Sequence, residues 1–122
     1  VAKRGEPKWK KGVIALPREM IESPAYRDLP CTARCLIVEL QNVWNPTKNT
    51  AVHFSNRRAQ AALKVGPDTA SKAFHSLLDS GFIKLSKESD LIQRKAAEYR
   101  LTWLKFNGCE PTNEWRKNGT KK

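Results

Sequence analysis

Between residues 55 and 81, two short stretches of helical apolar spacing are separated by Lys64-Val65-Gly66-Pro67. That break constrains the chain more than any other feature. Before it, Ala59, Ala62 and Leu63 share one face, with Asn56, Arg57, Arg58 and Gln60 on the other. After it, Ala70, Ala73, Phe74, Leu77 and Leu78 recur at the spacing of an amphipathic helix over 68–80. Ser55 suits an N-cap, because its hydroxyl accepts from a backbone N–H that the first turn leaves free. Pro67 suits the first turn of the second helix, where its missing N–H costs no bond. Gly66 is expected to supply the positive φ of the turn, and Gly81 the C-cap. Where the two helices cross, small residues allow close approach, here Ala59, Ala62, Ala70 and Ala73.

The flanking sequence supplies the rest of a core. Val13-Ile14-Ala15-Leu16 has the composition of a short strand ended by Pro17. Pro17 to Glu22 fits one helical turn, broken by Ser23-Pro24, with Tyr26 and Leu29 as core anchors. Thr32 is the expected N-cap of a helix over 33–44, whose inner face is Ala33, Leu36, Ile37, Leu40 and Trp44. Arg34, Glu39, Gln41 and Asn42 occupy its polar side, and Asn45-Pro46 stops it. Ala51 to Phe54 reads as a brief strand. Phe82 to Ser86 and Glu98 to Leu104 read as two more, joined by a charged hairpin loop over 87–97. The expected class is α+β, mainly helical, with a small antiparallel β-hairpin.

The chain has 122 residues, 23 Lys and Arg against 12 Asp and Glu, and a net charge of +11. One domain of this size can hold a core unaided. The charge divides it into a basic arm over 1–11, net +4, a domain over 12–104, and a basic tail over 105–122. Such a balance implies a polyanionic partner. No apolar run approaches the roughly 18 residues that cross a bilayer, and no signal peptide is recognisable, so the expectation is a cytoplasmic protein without membrane attachment. Cys31, Cys35 and Cys109 have no spacing to each other or to His53 and His75 that suits zinc. No Gly-rich phosphate loop, paired carboxylates or Gly-x-Ser-x-Gly elbow occurs. A non-enzymatic chain without cofactor or metal is expected.

The centre of the sequence runs Ser55-x3-Ala59-x2-Ala62-Leu63-Lys64-Val65-Gly66-Pro67-Asp68-Thr69-Ala70-x2-Ala73-x3-Leu77-x3-Gly81-Phe82-Ile83. It resembles the winged helix-turn-helix of bacterial DNA-binding proteins such as the MarR- and GntR-type regulators. It is also similar to winged-helix proteins of plasmids, phages and mobile elements. The resemblance covers residues 31–104 and implies a transcriptional regulator on double-stranded DNA, its helix 68–80 in the major groove. A replication or excision accessory factor is the alternative. A winged helix used for protein or RNA interaction is the alternative from another class.

On that reading base edges fall to Thr69, Ser71, Lys72 and His75, whose side chains donate or accept at the groove. Phosphates fall to Ser55, Arg57, Arg58 and Ser76, and wing contacts to Lys87, Arg94 and Lys95, with Glu88 and Asp90 opposing them. Pro67 and Asp68 depart from the family pattern. Asp68 either stabilises the helix N-terminus through the macrodipole or accepts from a cytosine amino group. Trp9 and Trp115 sit among basic residues, where they either bind nucleic acid or dock on their own domain. A homodimer and a protein partner both remain open.

Overall fold

The computed structural model describes residues 11–87 and 97–116. In chain order the elements are α1 (Arg18–Ile21), α2 (Pro24–Arg27), α3 (Cys31–Val43), β1 (Val52–His53), α4 (Asn56–Leu63), α5 (Pro67–Ser80), β2 (Ile83–Lys87) and β3 (Glu98–Leu101). The class is α+β, with a small antiparallel sheet of order β1-β3-β2. Val52 pairs with Tyr99, and Ile83 with Leu101; the β2–β3 register shifts by a bulge between Leu85 and Lys87.

Helices α3, α4 and α5 pack on one another, and α5 packs against β2 of the sheet. Ala33, Leu36, Ile37 and Leu40 of α3, Ala59 of α4, and Ala70, Ala73 and Leu77 of α5 are almost fully buried. Phe74 stacks on Tyr99 at 5.2 Å between ring centroids, joining α5 to the sheet. Alanine at the crossings brings the helix backbones close without leaving voids.

Several local expectations change. Val13 to Leu16 forms no strand: Val13 and Ile14 face solvent, and Gln41 Nε2 donates to Ala15 O at 2.8 Å. Strand composition alone is insufficient without a paired neighbour. Ser23-Pro24 starts a helix instead of only ending one; Ser23 Oγ accepts from Tyr26 N at 3.2 Å, and Pro24 opens α2. Helix α3 begins at Cys31 with Pro30 at the N-cap, so Thr32 lies inside the first turn. Gln41, expected on the polar side, is buried: its amide oxygen accepts from Trp103 Nε1 at 2.9 Å. Ala62, expected at the helix crossing, is exposed.

The turn between α4 and α5 also differs. Lys64, not Gly66, takes the left-handed backbone, at φ 56° and ψ 52°. Gly66 stands at φ −80° and ψ 173° as the N-cap of α5. Gly81 ends α5 at φ 87°, as its position predicts. The final strand is shorter than its composition suggests, because Thr102 turns inward. Its hydroxyl, with a single proton, sits 2.7 Å from Gly81 O and 3.0 Å from Phe82 O.

The packed body extends past residue 104. Trp115 is 3% exposed and stacks on Phe82 with centroids 6.0 Å apart. Asn113 N donates to Thr102 O at 2.8 Å, and Asn107 N to Asn49 O at 2.7 Å. Of the two roles open to Trp115, the structure has it docked on its own domain; Trp9 lies outside the described residues.

Candidate nucleic-acid interface

Helix α4 starts at Ser55, whose Oγ accepts from Arg58 N at 3.0 Å. The capped first turn carries Arg57 and Arg58, both solvent-facing. The Arg58 guanidinium lies over the Phe54 ring at 4.9 Å, a cation–π contact that restrains the side chain while leaving its in-plane N–H groups available. Asn56 Nδ2 donates to Pro67 O at 3.3 Å, and Gln60 Nε2 to Asn56 Oδ1 at 2.6 Å. Two amides thus tie the start of α5 to α4 across the turn. Lys64 is exposed within that turn, a third cation at the other end of α4 from the two arginines.

With 3.6 residues per turn, side chains advance by about 100° each, and α5 divides into rows. Asp68, Lys72, His75 and Asp79 form the row opposite the core, and all four are exposed. About a quarter-turn to one side lie Thr69 and Ser76, and a similar distance to the other lies Ser71. Lys72 and His75 therefore stand side by side, while Thr69 and Ser71 lie on opposite edges of the helix. Thr69 is exposed; Ser71 and Ser76 are half-buried.

Ser76 has a second neighbourhood. With Asp79 and Ser80 it lines a cleft of about 360 Å³ against Asp28, Leu29 and Pro30. Two carboxylates in that lining oppose a phosphate there, so the cation-bearing surface runs along α4 and the N-terminal half of α5. The sequence reading assigned no role to Asp79, although the spacing 68, 72, 75, 79 was present in the sequence as one helical row.

At the β2–β3 hairpin, Lys87 pairs in register with Glu98 through the backbone. Arg94 and Lys95, expected as wing contacts, lie outside the described residues, as do Glu88 and Asp90. At the hairpin base, His53 Nδ1 is 3.8 Å from Glu98 Oε2 across the strand pair. Burial raises the Tyr99 phenol above its ordinary pKa. All three cysteines are free and exposed. Among the described residues, no three His, Cys, Asp or Glu side chains gather as a metal site, and no helix is long and apolar enough to cross a membrane. No family model, curated protein or solved structure matches the chain.

Proposed function

We propose that this chain is a winged helix-turn-helix protein that binds double-stranded DNA in a sequence-specific way, as a small transcriptional regulator. One observation carries the reading: the order α3-β1-α4-α5-β2-β3 with sheet order β1-β3-β2, in which α5 turns an unburied polar row to solvent beside the arginines of α4. In this reading α5 lies in the major groove, with Lys72 and His75 at base edges and Thr69 or Ser71 reaching from one flank. Arg57, Arg58 and Lys64 hold phosphates and fix register. The net charge of +11 supplies the long-range attraction.

The test is a mobility-shift titration on duplex DNA at increasing salt. A surface that engages six or more phosphates gives a log–log slope of about −5 or steeper. Absence of duplex binding, or a flat slope, overturns the proposal. The exposed carboxylates of Asp68 and Asp79 favour a second reading, in which the same fold binds a protein. Under that reading the duplex titration is flat. Footprinting then separates a promoter operator from repeats at an origin or attachment site, the mark of a replication or excision factor.

A further inference from the structure

We propose that Asp68 is a specificity-determining residue, its carboxylate accepting from the N4 amino group of a cytosine in the major groove. The inference rests on the DNA-binding reading above and adds which base pair the protein selects. Asp68 sits in the first turn of α5, exposed, and heads the row that continues through Lys72 and His75. Among the described residues its side chain makes no hydrogen bond or ion pair. It does not cap its own helix, whose N-cap Gly66 provides no side-chain bond. Lys72 is one turn away, yet the two are not ion-paired.

Electrostatics narrows what such a group can face. A carboxylate directed at phosphates opposes binding, and its position at a helix N-terminus removes the anion site that terminus would otherwise offer. In the major groove the complementary donors are the amino groups of cytosine and adenine. Adenine presents its N6 amino group beside the N7 acceptor, so its bidentate partner must both donate and accept. An ionised carboxylate only accepts and is repelled by N7. Cytosine presents its N4 amino group without that neighbouring acceptor on its own ring. Lys72 has the opposite requirement, because an ammonium only donates and therefore favours the O6 and N7 acceptors of guanine. Four residues of helix rise about 6 Å, close to two base-pair steps of about 3.4 Å each. The positions read by Asp68 and Lys72 therefore fall within three base pairs of one another.

The experiment is selection of bound duplexes from a random pool with the full chain, with Asp68→Asn, Asp68→Ala and Lys72→Ala, and with thermal unfolding of each. The expected wild-type motif contains a C·G pair whose preference drops about tenfold in both Asp68 variants, within the range typical of one base contact. The remaining positions keep their preferences. Lys72→Ala relaxes a different position within three base pairs. An unchanged motif accompanied by a lower Tm in the Asp68 variants makes the residue a helix-stabilising charge only and overturns the inference, leaving DNA binding intact. Asp68-dependent and Lys72-dependent positions further apart overturn it as well. A wild-type chain that selects no duplex overturns both this inference and the DNA-binding reading.

Discussion

At Lys64 the chain takes a left-handed conformation, φ 56°, in which an L side chain crowds the following carbonyl. Lys64→Gly is expected to relieve that crowding and stabilise the fold by about 0.5–1 kcal/mol, net of the greater freedom of the unfolded glycine. It would appear as a higher urea midpoint at unchanged m-value. Gly66 behaves differently because its φ is ordinary and a Cβ there meets open space. Gly66→Ser adds a capping hydroxyl and should leave stability the same or raise it by a few tenths of a kcal/mol. A loss above about 1 kcal/mol would contradict the assigned backbone. The turn was legible in the sequence, but the residue bearing its strain was not. A glycine marks where positive φ is easy, while the geometry of two crossing helices decides where it is needed. Gln41 shows the same limit. Its place on α3 reads as polar and solvent-facing until Trp103, 62 residues later, brings an indole N–H to it.

Helices α4 and α5 divide the proposed work between them. Arg57 and Arg58 are charges on a capped first turn, suited to phosphates and indifferent to base identity; Lys72 lies in the middle of the α5 row. Arg57→Ala should weaken binding to every duplex alike and reduce the salt slope by about one unit. Lys72→Ala should instead narrow the gap between preferred and non-preferred sequences. Equal effects in a competition assay would contradict the division. Arg57 is the cleaner test than Arg58, whose guanidinium also packs on Phe54. The helices themselves were readable because periodicity is a local property: the inner residues of α3 and α5 recur at the spacing that one buried face requires. Val13 to Leu16 has strand composition but forms none, because a strand exists only through its partner. Ala62 is exposed because it stands about 60° round α4 from the buried Ala59, while Leu63, next along the chain, packs on the core.

Across the whole molecule the decisive contacts tie the segment after residue 104 back to the body. Trp115 stacks on Phe82, and the Arg116 guanidinium lies 2.7 Å from the Glu19 carboxylate, so α1 and the C-terminal segment meet. The ion pair is exposed and is not where the stability lies. Removing the buried ring is the larger change: Trp115→Ala should lower stability by about 3–5 kcal/mol, a large share of the 5–15 kcal/mol typical of a domain. Urea unfolding measures it, and an unchanged midpoint would show that the ring contributes nothing to the fold. The sequence by itself determined the helix–turn–helix order, the inner faces of α3 and α5, and the excess of positive charge, because each follows from neighbours along the chain. Only the tertiary structure decided which polar residues are buried and that the segment after residue 104 packs into the body. Those outcomes depend on which surfaces meet across long sequence separations.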